Sequence, residues 1–572
     1  YRWAVLGGGL CVVASRVLMV AAPLLLRRAL QILEAGGPGT VERATEVAWA
    51  FLGVSVAGGL LAWLQRLLLI GSSRSVERDL KRDLFAHVER LPTTFFDQNR
   101  TGDLLSRLTS DVEAVRWVIG PGPMYIASTL VLFPLTVITM LGISAPVTLS
   151  TLVPLFGIIL VVRFLAPAIM RRQRAVRDRI GDLSARAQES FAGARVVRAY
   201  ATEAIETRAF GRENAALVDE TLGLARRRAV LQASVYALGR LAELIVLLVG
   251  GLLLMDGRLG FGDLGAFLAY MGMLIWPMIS VGWVVGAIQR AAAAIQRIDE
   301  VFQVAEEQAV TVEPPTTEVA IRGGIRVRDL TYRYPGGAQP ALEDVSFEVR
   351  PGRTLALVGP VGSGKSTVLA LLTRLYEGPP GAIELDGVDV ARIPLERLRA
   401  AFAYVPQDAF LFSETIRGNL AYAVEGDLAP ERALAAATTA GLARDIQAFP
   451  RGLDTVVGER GLTLSGGQKQ RTTLARALLR SAPILLLDDA LSSVDTHTEA
   501  RILERLREEM GRRTVLIVAH RLSTVRDADT IVVLDAGRVA EAGTHEDLLA
   551  AGGWYARTYA NQRLEAELED LD

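Results

Sequence analysis

The stretch TLALVGPVGSGKST, Thr354 to Thr367, decides the fold of half this chain. It begins as an apolar run of strand length, passes directly into a glycine loop, and gives way to helical periodicity after Lys365. That order, with the pattern G-x-x-x-x-G-K-S from Gly359 to Ser366, is the required context of a phosphate-binding loop. Gly362 and Gly364 let backbone amides turn towards phosphates, with Ser363 between them and Thr367 just beyond. Lys365 reaches the β/γ oxygens and Ser366 ligates Mg²⁺. A second stretch, ILLLDDALSSVD (484–495), reads as a buried parallel strand ending in two aspartates. A carboxylate at a strand's carboxyl end is where an open α/β sheet places a ligand site. Asp488 is then the carboxylate of the Mg²⁺ shell, which leaves Asp489 to activate something.

The rest of the composition points elsewhere. A chain of 572 residues is too long for one core, and its net charge of −1 carries no basic field for nucleic acid. Hydrophobic content is 51% and mean hydropathy +0.30, high for a soluble protein. The one cysteine, Cys11, excludes an intrachain disulfide and reads as a packed thiol. Lysine is confined to Lys81, Lys365 and Lys469, so a functional lysine stands out.

Apolar stretches long enough to cross a bilayer recur near 3–33, 46–70, 117–142, 147–168, 229–255 and 263–289, giving six spans. Long charged segments separate the second span from the third and the fourth from the fifth. The latter, Arg163 to Arg228, holds fourteen Arg against eight acids. The loops near 34–45, 142–146 and 256–262 are short and poor in basic residues, so both termini and both long segments face the cytosol. Ionisable residues inside spans mark cavities or partners. Arg16, Arg66, Arg240 and Glu243 are the candidates, although Arg240 and Glu243, three apart, are also placed to pair with each other. Trp276 and Trp283 share a face of the sixth span, for packing or for substrate stacking. The expected division is a transmembrane domain over 1–303, a linker over 304–324 and a nucleotide-binding domain over 325–572.

LSGGQ (464–468) names the kind of machine. With Tyr334, Gln407, SSVD (492–495) and His520 in this order, the chain resembles the ATP-binding cassette family. Six spans ahead of one cassette resemble a half-transporter of exporter type. TGDLLSRLTSDV (101–112) and TVVGERG (455–461) are similar to exporter elements that join membrane helices to the cassette. The resemblance implies a six-span α-helical domain followed by an α/β P-loop ATPase with a helical subdomain, and ATP with Mg²⁺ as cofactors. It implies that Tyr334 stacks on adenine, that Gln407 touches Mg²⁺, and that His520 contacts the γ-phosphate. Ser465, Gly466, Gly467 and Gln468 would face an ATP held by a second half-transporter chain, at a helix N-terminus that favours an anion.

One position departs from the family. Exporters of this kind usually carry Glu after the Mg²⁺ aspartate, as the base that polarises water, and here it is Asp489. Its carboxylate stops about 1.5 Å short, and a displacement of about 1 Å can cost on the order of 100-fold in rate. Leu491 replaces the usual Thr nearby. The expectation is a site that binds ATP and hydrolyses it poorly, beside an unlike partner that carries the Glu. An ATP-gated channel or regulator and a homodimeric lipid flippase are the alternatives. An importer is disfavoured by the fused layout.

Overall fold

In a computed structural model the described residues are 1–307, 321–458, 461 and 463–569, and a few side chains, Trp276 and Trp283 among them, lie outside the description. The chain divides into two compact units, 1–89 with 101–304, and 90–100 with 305–572. The short segment 90–100, between the second and third long helices, thus belongs to the ATPase unit, although its neighbours on both sides belong to the membrane unit.

The membrane unit is built on long helices: α1 (Arg2–Ala35), α2 (Thr40–Val88), α3 (Pro121–Ile143), α4 (Ala145–Ala192), α5 (Glu203–Met255) and α6 (Phe261–Phe302). Among the described residues five helical runs are long and apolar enough to cross a membrane, the third of them running from Thr101 through α3. The sixth, α6, contributes the apolar piece Phe261–Leu274. Helices α2, α4 and α5 reach 48 to 53 residues, far more than the 20 or so that a bilayer needs, so each carries its charged extension without a break.

Their apolar faces meet around Leu155, Ile158, Val246, Phe267 and Tyr270, all fully buried. The buried Tyr270 hydroxyl is satisfied by the Val20 carbonyl at 2.8 Å. At one end of the bundle Asp263, capping α6, pairs with Arg27 of α1. At the other end the stretch TGDLLSRLTSDV forms a helical turn, Thr101–Ser106, and a π-helical turn, Arg107–Asp111. Its buried Asp111 receives both prongs of Arg297 from α6, at 2.8 and 2.5 Å. A bidentate pair of this kind fixes register as well as adding energy.

The ATPase unit holds two sheets. An antiparallel one orders β2 (Leu342–Val349), β1 (Ile325–Tyr332), β4 (Ile383–Leu385) and β5 (Val388–Asp389). The larger orders β10 (Arg538–Gly543), β9 (Thr530–Asp535), β3 (Thr354–Val358), β8 (Thr514–Val518), β7 (Ile484–Asp488) and β6 (Phe402–Val405). From β9 to β6 it is parallel, and β3, β7 and β8 are buried along their whole length. That double-sided burial is why they read as unbroken apolar runs. It also brings the carboxyl ends of β3, β6, β7 and β8 to one edge of the sheet.

Candidate functional site

At that edge lies a cavity of about 330 Å³. The phosphate loop contributes Gly362, Gly364, Lys365, Ser366 and Thr367 to its wall. Tyr334, Gln407, Asp488, Asp489 and His520 line it from the other strand ends and loops. Ten residues named from the sequence are therefore brought to one place. Gly359 sits at its floor, where its carbonyl accepts from the Lys365 ammonium at 2.9 Å, and Ser363 is buried beneath the loop. Gly364 has φ +98°, and a β-carbon there would come within 2.7 Å of the Ala341 carbonyl, so only glycine fits.

Ser366 and Asp488 meet directly, the hydroxyl donating to one carboxylate oxygen at 2.9 Å. The other oxygen accepts from Tyr404 on β6 at 3.3 Å. Burial pushes the Asp488 carboxyl above its ordinary range, with the Ser366 and Tyr404 hydroxyls opposing. Burial likewise pushes the Lys365 ammonium down, against the attraction of Asp488 and Asp489. Both charges are costly to bury and both are relieved by an added counter-charge, a cation for one and phosphate for the other. Among the described residues no cluster of three His, Cys, Asp or Glu could hold a metal. The donor set is two hard oxygens, which suits an ion that takes few protein ligands and completes its shell from phosphate and water.

Asp489 follows β7 with φ +47°, a left-handed conformation that aspartate tolerates better than most residues. Its amide donates to the Val518 carbonyl at 2.9 Å, so the backbone is pinned while the carboxylate makes no hydrogen bond among the described residues.

Tyr334 packs edge-on against Tyr332 and Tyr376, with ring centres 5.1 and 5.0 Å apart, and donates to Thr367 at 3.2 Å. Tyr376 in turn donates to Asp97 at 2.8 Å. The segment between the second and third long helices thereby reaches, through two rings, the platform beside the phosphate loop.

Ser465, Gly466, Gly467 and Gln468 lie apart from this cavity, at the start of the helix Gly466–Leu479. Ser465 and Gln468 form a reciprocal capping box, with the Ser465 amide donating to Gln468 at 2.9 Å and the Gln468 amide returning to the Ser465 hydroxyl at 3.3 Å. A β-carbon on Gly467 would fall 2.8 Å from the Ser493 carbonyl. Sequence reasoning missed Gln470, whose buried side chain accepts from the Ser493 amide at 2.8 Å and donates to the Ser492 hydroxyl at 2.9 Å. It braces the signature helix to the loop that follows Asp489. Its place one turn into the LSGGQ helix was the available signal.

In the membrane unit, α3, α4 and α6 enclose an apolar cavity of about 660 Å³. Each supplies a proline to its wall, Pro134, Pro167 and Pro277, and the one charged lining residue among the described residues is Arg163. Arg163 lies within the fourth apolar stretch, 147–168, where the charge-rich segment begins. A second cavity, of about 330 Å³ between α1 and α2, holds Arg16 beside Ser15, Ser55, Gly58 and Met273. Arg240 and Glu243 pair with each other at 2.6 Å, and neither they nor Arg66 line these two cavities. Trp276 and Trp283 lie on α6, with side chains outside the described residues.

Comparison with known proteins agrees with this architecture. Residues 5–278 match the ABC transporter transmembrane region, and residues 342–492 match the ABC transporter family. The chain is 35% identical to the probable multidrug resistance ABC transporter ATP-binding/permease protein YheI of Bacillus subtilis, over 96% of this chain and 94% of that protein. It is 38% identical to an ATP-dependent lipid A-core flippase of Aromatoleum aromaticum, over 88% and 83%. A solved structure of a bacterial Atm1-family ABC exporter with ATP bound superposes with a TM-score of 0.78, at 30% identity and 98% coverage of both chains. The chain belongs to the ATP-binding cassette transporters of exporter type, and it is an ATP-hydrolysing transporter that spans the membrane.

Proposed function

We propose that this chain is one half of a heterodimeric exporter that moves hydrophobic or amphipathic substrates, drugs, lipids or peptides, from the cytosolic side. It would sit in the cell's inner (plasma) membrane with the ATPase unit in the cytosol. In this reading its own ATP site hydrolyses poorly and its LSGGQ completes the partner's competent site. The sequence resembles the TmrB half of the heterodimeric multidrug exporter TmrAB, which motivates the unlike partner.

The observation that carries the proposal is Asp489. Around it Lys365, Ser366, Gln407, Asp488 and His520 line one cavity, a set able to bind ATP. Ser366 and Asp488 would hold Mg²⁺, with Gln407 beside them, and the ion would neutralise phosphate charge. Tyr334 would support adenine and His520 would contact the γ-phosphate. Asp489 alone falls short, by one methylene, of what a water-polarising base needs. The signature has no such defect, since Ser465 caps its helix and Gly467 leaves the N-terminus open to a phosphate. The names of the relatives, a multidrug transporter and lipid flippases, support an amphipathic substrate. So does the 660 Å³ cavity, apolar but for Thr129, Arg163 and Gln289 among its described lining residues.

The test is ATP-dependent flux in sealed proteoliposomes over a panel of a cationic dye, a fluorescent phospholipid and a labelled peptide, with Lys365→Ala as control. Accumulation of at least one of them against a gradient, dependent on ATP and markedly slowed in the control, supports export. Equal flux down a gradient only would favour an ATP-gated channel. Native mass spectrometry showing only paired copies of this chain, with full turnover, would favour the homodimeric flippase.

A further inference from the structure

The C-terminal helix, Trp554–Glu569, reaches the loop that carries His520 through Gln562. Gln562 lies alongside the loop that leaves β8 and carries His520. Its amide nitrogen donates to the His520 carbonyl at 2.8 Å, and its amide oxygen accepts from the Leu522 backbone N–H at 2.8 Å. One side chain thereby pairs with the backbone on both sides of Arg521, as a neighbouring strand would. Glutamine is suited to this because one planar group offers a donor and an acceptor together. The segment held this way is irregular backbone between β8 and the 3₁₀ turn Leu522–Val525, with no ladder partner to fix the direction of the His520 side chain.

The helix that presents Gln562 is itself firmly seated at its start. Tyr555 is fully buried, its hydroxyl lies 2.8 Å from Nδ1 of His545, and its ring stacks on Tyr559. Glu541 accepts from the Trp554 and Tyr555 amides. Beyond Gln562 the character changes: Leu564 and Leu568 are 59% and 57% exposed, and Arg563 pairs with Glu567 one turn further on. Gln562 therefore stands where the helix leaves the body of the ATPase unit.

We propose that Gln562 is a positioning residue for His520, so that the seating of the C-terminal helix sets how well this site distinguishes ATP from ADP. The proposal rests on the reading of His520 as a γ-phosphate contact. His520 lines the cavity with Lys365 and Asp489, and only ATP offers the phosphate that it would meet. Loosening its backbone then weakens ATP and leaves ADP alone.

The experiment uses the chain in the membrane assembly in which it is purified. An azido-ATP photolabel is read on this chain alone, on ice, with ATP and ADP as competitors. His520→Ala measures the full contribution of the histidine. Gln562→Ala should lower the ATP-over-ADP preference about fivefold, the order expected for losing a pair of hydrogen bonds, with ADP affinity unchanged. Gln562→Glu keeps the acceptor for Leu522 but sets a carboxylate against the His520 carbonyl, and should lose as much or more, although it fills nearly the same space. On the His520→Ala background Gln562→Ala should have no further effect. Loss of ATP and ADP affinity in equal measure, full activity of Gln562→Glu, or additive effects with His520→Ala would each reduce Gln562 to a packing role. An unchanged preference in His520→Ala would remove the histidine's own assignment, and the proposal with it.

Discussion

At the start of the signature helix three side chains are held: Ser465 and Gln468 cap one another, Gln468 also donates to Asp445 at 2.9 Å, and Gln470 holds the facing loop. At the end of β7, beyond the signature helix in the chain, the Asp489 backbone is pinned to Val518 while its carboxylate makes no hydrogen bond among the described residues. The two ends belong to one ATPase unit, yet in a cassette dimer they serve different ATP molecules. A braced signature beside a short, unsupported base is what results if the signature still works on a demanding site and the base does not. The comparison also separates them by cost, because damage to the signature should be felt where turnover happens and damage to the base should not.

The largest effect should follow Ser465→Arg. It replaces the cap with a bulky cation where a phosphate would approach the helix N-terminus, and steady-state ATP turnover of the assembly should fall by about 100-fold or more, in line with losing preorganised electrostatic stabilisation. Nucleotide photolabelling of this chain's own cavity should persist. Lys365→Ala comes next, with turnover reduced about tenfold. It removes the buried cation from a site that would still need bound ATP to close the dimer, so photolabelling of this chain should drop sharply while the partner's persists.

Gln470→Ala sharpens the comparison further. It unties the signature helix from Ser492 and Ser493 without touching either ATP, at the cost of two hydrogen bonds within the core. Turnover should fall about threefold to tenfold, and limited proteolysis should cut faster in the loop 490–495. An unchanged rate would show that the two ends do not depend on their mutual brace.

Much of this was legible in the sequence because it is local. The phosphate loop, the strand ILLLDD and LSGGQ each declare themselves within a dozen residues, and parallel topology then gathers their ends at one sheet edge without further information. The six apolar stretches were legible for the same reason. What escaped depends on contacts between distant residues. Tyr404 holds Asp488 across 84 positions, and Gln562 holds the His520 loop across 42. Glutamine and tyrosine are common enough that neither stands out before the fold places it. The segment 90–100 joins the ATPase unit through contacts such as Asp97 to Tyr376, which no hydropathy window can see. Arg163 falls both in the fourth apolar stretch and at the onset of the charge-rich segment, and only the unbroken α4 shows that it lines a cavity. Pro134, Pro167 and Pro277, interruptions in otherwise apolar helices, were the available clue to the cavity.

The smallest effect should come from the residue on which the account turns. Asp489→Asn keeps the shape of the side chain and the left-handed backbone, since asparagine also tolerates that conformation, and removes only the charge of a base argued to be ineffective. Steady-state hydrolysis by the assembly, measured with an unaltered partner chain at saturating ATP, should fall by less than about threefold, a change too small for the loss of a working general base, which is typically worth 100-fold or more. If Asp489→Asn stops turnover as completely as Ser465→Arg, then Asp489 is a working base and the division of labour between the two ends is wrong.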